Sequence, residues 1–175
     1  MNFHDVIEPG DFEAGIINNV VEIPQGSILK LEYNLKGGFF EVDRVEPSIF
    51  PKPANYGFIP QTLDEDGDAL DTLLVCVEPI PVGTVVESKI LGVLNFEDDG
   101  EMDYKIICVA RDDRTENKRL ESVDDLGEQW KKEVEFHFNH YKDLKKPGTT
   151  KVLGWGGVED AKVIIKESIE RWNNR

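Results

Sequence analysis

The sequence predicts a mainly β fold with added α, a small closed barrel carrying two C-terminal helices on its outside. Three observations predict it. Short apolar runs separated by glycine-bearing and acidic turns fill the first two-thirds of the chain. Beyond residue 122 the apolar spacing changes to three and four. With 175 residues, the chain is long enough for one compact domain, 1–175, and too short for two ordinary ones.

Residues 28–33 alternate, with Leu29, Leu31 and Tyr33 on one face and Ile28, Lys30 and Glu32 on the other. Gly37 and Gly38 mark a turn, and residues 39–45 resume as a strand. Residues 72–77 are a short apolar run suited to a buried strand. Residues 84–96 are β-branched, with Gly92 expected at a bulge or bend. Residues 102–109 form a further strand, with Asp103, Lys105 and Ile107 on one side. Then Leu126, Trp130, Val134, Phe138 and Tyr141 recur as the buried stripe of a helix, for which Ser122 and Asp124 are candidate N-caps. The glycines between 154 and 157 interrupt the pattern. Ala161, Ile164, Ile165, Ser168, Ile169 and Trp172 form a second helical stripe.

Composition excludes several function classes. The chain carries 35 acidic and 20 basic residues, a net charge of −15, which repels nucleic acid. No apolar stretch approaches the roughly 18–20 residues that cross a bilayer, so no membrane association is expected. The first residues are acidic and lack the apolar core of a secretory signal, so they do not read as one. Cys76 and Cys108 each sit in an apolar run and read as two buried thiols of a reducing compartment.

The sharpest chemical signal is Asp64-Glu65-Asp66-Gly67-Asp68-Ala69-Leu70-Asp71. Five carboxylates within eight residues repel one another unless a cation compensates. Hard oxygen donors select Mg²⁺, Ca²⁺ or Mn²⁺. A calcium-binding EF-hand loop would place Gly and Glu where the chain has Ala69 and Val75, so that reading fails. A second acidic turn spans residues 97–103, with Lys105 close behind. Lys30 and Glu32 form another ionisable pair on one strand face.

Asp66-Gly67-Asp68-Ala69-Leu70-Asp71 resembles the D-G-D-P-x-D signature of the soluble family I inorganic pyrophosphatases of prokaryotic type. The resemblance runs along almost the whole chain. It takes in Glu22-Ile23-Pro24, Lys30-Leu31-Glu32-Tyr33, Val42-Asp43-Arg44, Asn55-Tyr56-Gly57-Phe58-Ile59-Pro60, Asp98 with Asp103 and Lys105, His140-Tyr141-Lys142-Asp143-Leu144, and Gly154-Trp155. It implies an oligonucleotide-binding-like (OB-like) five-stranded β-barrel with flanking C-terminal helices. It also implies Mg²⁺-dependent hydrolysis of pyrophosphate, a cytoplasmic home and a homohexamer.

Residue by residue, the resemblance makes Asp66, Asp71, Asp98 and Asp103 direct metal ligands. Glu22 and Glu32 would hold metals or their water shells. Asp68 would accept a proton from the attacking water. Lys30, Arg44, Tyr56, Lys105, Tyr141 and Lys142 would contact phosphate oxygens, with Lys30, Arg44 and Tyr56 acting beside Asp68 in catalysis. These seven carboxylates outnumber the four cations by three. Pyrophosphate adds about three to four more negative charges, so about three to four Mg²⁺ ions are needed to neutralise a partly desolvated site, with Mn²⁺ or Zn²⁺ as substitutes.

Three positions depart from the family pattern. Lys52 stands where many members have tyrosine, and either adds a cation near the phosphate or points to solvent. Ala69 replaces the proline of the signature. Residues 145–148 differ in the loop after Lys142, so Lys146 is given no role. His140 resembles a subunit-contact residue. Two rival readings fare worse. A barrel binding single-stranded nucleic acid needs a basic groove with stacking aromatics. A phosphatase of organic esters needs an apolar pocket for the organic group, and no motif for one is visible.

Overall fold

The computed structural model describes residues 2–175. A short helix α1 (Phe3–Val6) and a 3-10 turn (Phe12–Ala14) precede β1 (Ile16–Ile23). The chain continues through β2 (Leu29–Asn34), β3 (Phe39–Val45), β4 (Asn55–Phe58), β5 (Asp71–Val75), the long β6 (Val85–Asp98), β7 (Glu101–Met102) and β8 (Lys105–Ala110). Two 3-10 turns (Glu116–Arg119 and Val123–Leu126) lead into α2 (Glu128–His140), β9 (Thr150–Gly156) and α3 (Val158–Asn173).

Five strands close the barrel. β1 pairs with β4, β4 with β5, β5 with β8, β8 with β6, and β6 returns to β1. The β5–β8 pairing is parallel and the other four are antiparallel. β7 and β9 extend the sheet from the far end of β6. Closure demands close backbone approach at two glycines. A Cβ at Gly57 would lie 2.2 Å from the Val20 carbonyl oxygen, so β1 and β4 meet only because residue 57 has none. At Gly92 the register of β6 against β8 shifts, as the sequence predicts, and a Cβ there would lie 2.4 Å from the Gly156 carbonyl oxygen.

Apolar side chains bury both faces of the curved sheet. Leu73, Ile107 and Val109 join Val134, Phe138 and Tyr141 in the cluster under α2. Their strand neighbours Leu74, Ile106 and Cys108 face the opposite way, into the cluster with Ala161 and Ile165 of α3. This two-sided burial explains why β5 and β8 read as continuous apolar runs.

The structure differs from the sequence expectations at five places. The strands expected at 28–33 and 39–45 form a separate hairpin, β2–β3, rather than barrel staves. The strand expected at 102–109 is interrupted at Asp103 and Tyr104, leaving β7 and β8 as two pieces that both run antiparallel to β6. Ser122 caps the 3-10 turn before α2, sharing the Asp125 carboxylate with its own backbone N–H, while Gly127 stands at the N-cap of α2 itself. Leu126 therefore precedes the helix. Cys108 is buried but Cys76 is only half-buried; both are free thiols. Among the described residues no helix is long and apolar enough to cross a membrane.

Candidate active site

A cleft of about 290 Å³ opens where the β2–β3 hairpin, the barrel strands and the C-terminal end of α2 meet. All thirteen residues singled out from the sequence line it. Its floor is set by β-pairing. Asp71 opens β5 directly opposite Lys105, the first residue of β8. Lys105 is only 2 % exposed, and its Nζ lies 2.5 Å from Asp71 Oδ2. The same ammonium donates to Asp103, and the Tyr56 hydroxyl donates to Asp71. Burial works against the charged form of Lys105, but Asp103 and Asp71 outweigh it and hold the ammonium well above its usual range. Burial also raises the Asp103 carboxyl, and Asp71 beside it adds to the rise while Lys105 opposes it.

The far wall comes from the end of α2. Lys142 Nζ lies 2.5 Å from Asp98 Oδ1, and the Tyr141 hydroxyl donates to Asp98 Oδ2 at 3.1 Å. Lys146 is turned outward onto Asp99 at 2.6 Å. The near wall is the hairpin. Lys30 and Arg44 are register partners, and Lys30 Nζ is 2.9 Å from Glu32. Arg44 is held by Asp43 at 2.5 Å and Glu46 at 2.6 Å. Glu22 of β1 ties the hairpin to the barrel by accepting the Tyr33 N–H at 2.8 Å. Burial, then repulsion from Asp71, pushes the Glu22 carboxyl up to about 8.

The acidic turn divides its carboxylates between two tasks. Asp66 and Asp68 face the cleft from its exposed rim. Partial desolvation, with Asp66 and Asp71 close by, raises Asp68 above the usual carboxylate range. Asp64 points the other way. It is buried, accepts the Glu65 N–H at 2.9 Å and Arg171 of α3 at 3.2 Å, and is pushed up to about 6 by burial. Arg171 also donates to the Leu63 carbonyl at 2.8 Å, so the turn is pinned to α3 from behind.

The donor set suits a hard divalent cation, because seven carboxylates and no thiol line one cleft. Among the described residues, no three of them close on a single point that would hold an ion as they stand. Lys105 pairs with Asp71 and Asp103, and Lys142 pairs with Asp98. Burial first, and neighbouring carboxylates after it, lift Glu22, Asp68 and Asp103, a cost to negative charge that a cation would relieve. One lining residue was left undecided by sequence reasoning. Lys52 turns inward into the cleft, and the flanking Pro51 and Pro53 were its only signal of a fixed conformation.

A sequence model of inorganic pyrophosphatase matches residues 19–173. The inorganic pyrophosphatase of Neisseria meningitidis serogroup B is 58 % identical over 99 % of this chain and 98 % of its own length. That of Haemophilus influenzae is 57 % identical over 99 % of both chains. The crystal structure of an inorganic pyrophosphatase from Neisseria gonorrhoeae superposes with a TM-score of 0.97 at 58 % identity, covering 98 % of this chain and 99 % of that one. The enzyme from Thermus thermophilus superposes with a TM-score of 0.88 at 36 % identity, covering 95 % and 97 %. With fold and sequence in agreement over nearly the whole length, the chain belongs to the inorganic pyrophosphatase family.

Proposed function

We propose that the chain hydrolyses inorganic pyrophosphate to two phosphates by direct attack of water, with no covalent enzyme intermediate. The observation that carries this reading is the convergence of seven carboxylates and four partnered cations on one small cleft. No Ser, Thr or Cys lines that cleft among the described residues, so these common side-chain nucleophiles are missing beside the carboxylates that would activate a water.

Asp66, Asp71, Asp98 and Asp103 would hold the divalent ions, with Glu22 and Glu32 holding ions or their water shells. Mg²⁺ fits the all-oxygen donor set, at about three to four ions per site with substrate on the charge balance of the cleft. Bound ions supply positive charge and acidify water towards neutrality. The remaining work belongs to side chains. Asp68, raised above an ordinary carboxylate, takes the proton of the attacking water. Lys30 and Arg44 bind phosphate oxygens from the hairpin side, Tyr56 and Lys105 from the floor, and Tyr141 and Lys142 from the far wall. Arg44 and Lys142 neutralise the charge that develops on the departing phosphate.

Purified protein should release phosphate from pyrophosphate as Mg²⁺ is added and stop when a chelator is added. ATP and a phosphomonoester, assayed beside it, should turn over far more slowly. Equal rates on all three would replace the pyrophosphatase reading with a general phosphatase.

The same reading extends to the molecule's setting. The chain works as a single domain, 1–175, in the cytoplasm, assembled as a homohexamer. Exposed Phe136 packed against His140 on α2, ring centroids 4.6 Å apart, supports a subunit contact there. Sedimentation of the purified protein decides the assembly.

A further inference from the structure

Among the described residues, Lys52 is the one cation of the cleft without an anionic partner. Lys30 has Glu32, Arg44 has Asp43 and Glu46, Lys105 has Asp71 and Asp103, and Lys142 has Asp98. Lys52 makes no side-chain hydrogen bond or ion pair among the described residues, although only 7 % of it is exposed. Its Nζ instead lies 4.8 Å from the Tyr56 ring centroid and 5.5 Å from that of Tyr141. Ring faces offset part of the cost of burying an ammonium, but they accept none of its three N–H donors in the way an oxygen does.

The backbone holds this side chain in place. Lys52 sits between Pro51 and Pro53, and its N–H and C=O pair with Ser27 and Gly26, both at 2.9 Å. A buried, backbone-fixed ammonium facing a cleft and lacking an acceptor is arranged for an anion that arrives from outside. Resting on the pyrophosphatase reading above, we propose that Lys52 is a fifth phosphate-binding cation, its Nζ donating to a phosphate oxygen beside the rings of Tyr56 and Tyr141. This placement makes it a determinant of how tightly the cleft keeps a phosphate group, substrate or product.

A consequence for pH follows from the surroundings. Burial, with Lys30 and Lys105 adding repulsion, pushes the Lys52 ammonium down to about 7, while Glu46 and Asp71 offset part of the fall. His137 of α2 also faces it and is neutral, pushed down to about 3 by burial and by Lys52 itself. The Tyr56 and Tyr141 hydroxyls stay protonated, since burial and then the nearby carboxylates Asp71 and Asp98 raise both. Above pH 7 phosphate binding is therefore coupled to uptake of a proton by Lys52, and affinity drops with rising pH.

The test is binding of inorganic phosphate, with Mg²⁺ present, to the wild-type chain, Lys52→Met and Lys52→Arg. Methionine keeps the unbranched stem and its packing on the rings without the charge. Loss of a charge-assisted hydrogen bond should weaken phosphate binding by about tenfold or more in Lys52→Met at pH 6.5. Lys52→Arg should recover much of the loss, and Mg²⁺ binding measured without phosphate should be the same in all three. Between pH 6.5 and 8.5, phosphate affinity should fall more steeply in the wild type than in Lys52→Met. Equal phosphate affinity in wild type and Lys52→Met would overturn the role of Lys52 alone. A parallel loss of Mg²⁺ affinity would also overturn it, as the mark of a rearranged cleft. A wild-type chain that binds no phosphate would overturn the parent reading and this one together.

Discussion

Lys105 Nζ lies 2.5 Å from Asp71 Oδ2 because the two residues are opposite each other on the parallel strands β5 and β8. The barrel itself thus places a buried ammonium among carboxylates that divalent ions would otherwise neutralise. Removing that ammonium, as in Lys105→Met, leaves Asp71 and Asp103 facing each other in a partly dry cleft. In chelator the variant should be less stable to urea by about 3–5 kcal/mol. Saturating Mg²⁺ should shrink the deficit by at least about 1 kcal/mol, because ions bind the folded carboxylates and not the unfolded ones. An identical deficit in both buffers would show that ions do not reach these two residues.

Asp68 is the cleanest separator of chemistry from architecture. Its side chain makes no hydrogen bond or ion pair among the described residues, and only its backbone serves the turn, accepting the Asp64 N–H at 2.7 Å and donating to Asp66 at 3.0 Å. Asp68→Asn keeps that shape and removes the base. Turnover of pyrophosphate should fall by about 10²–10⁴-fold, while the unfolding curve and Mg²⁺ affinity stay close to wild type. Undiminished turnover would take the proton-accepting role away from Asp68.

What the sequence made legible followed from local chemistry. The acidic signature, the Lys30–Glu32 pair and the Phe39–Val45 strand were readable because each is set by neighbours a few residues away. β1 was not singled out, because Ile16–Ile23 is buried on both faces and shows no alternation. β4 was hidden by its four-residue length, and β9 by the glycines Gly154 and Gly156, which read as a break but sit inside a strand. In the cleft, charge type and order were visible, but direction was not. Asp64 and Asp66 are two residues apart, yet one turns back to Arg171 and the other forward into the cleft. Lys52 was undecidable in the same way, since whether it points inward depends on packing against Tyr56 and Tyr141 from distant strand and helix.

The tie behind the acidic turn can be cut without entering the cleft. Arg171→Met removes donors to the Leu63 carbonyl, the Asp64 carboxylate and Ser168 Oγ. It strands a buried carboxylate, so stability should fall by about 1–3 kcal/mol. Half-saturation should need several-fold more Mg²⁺, because the turn that carries Asp66 loses its rear anchor, whereas turnover at saturating Mg²⁺ should fall less than tenfold. A Mg²⁺ curve that overlays the wild type would mean the turn holds its shape without α3.

His4 makes stability depend on pH in a direction that can be worked out. Its ring lies between Phe58 and Trp172, with centroids 5.1 Å and 4.8 Å away, and its Nδ1 accepts the Gln61 N–H at 3.0 Å. Burial, with Arg175 adding repulsion, pushes the imidazole down to about 4 from 6.5. The unfolded chain therefore takes up the proton first as pH falls. The stabilisation is complete above pH 6.5 and is lost as pH drops from 6.5 towards 4, amounting to about 3 kcal/mol. His4→Phe keeps the stacking, loses the acceptor for Gln61 and cannot titrate. At pH 7.5 the variant should be less stable by about 1 kcal/mol. At pH 4.5 urea unfolding should show that gap closed or reversed, because the wild type alone has had to protonate a buried ring. Parallel stability curves across that range would mean the folded imidazole accepts its proton as readily as the unfolded one.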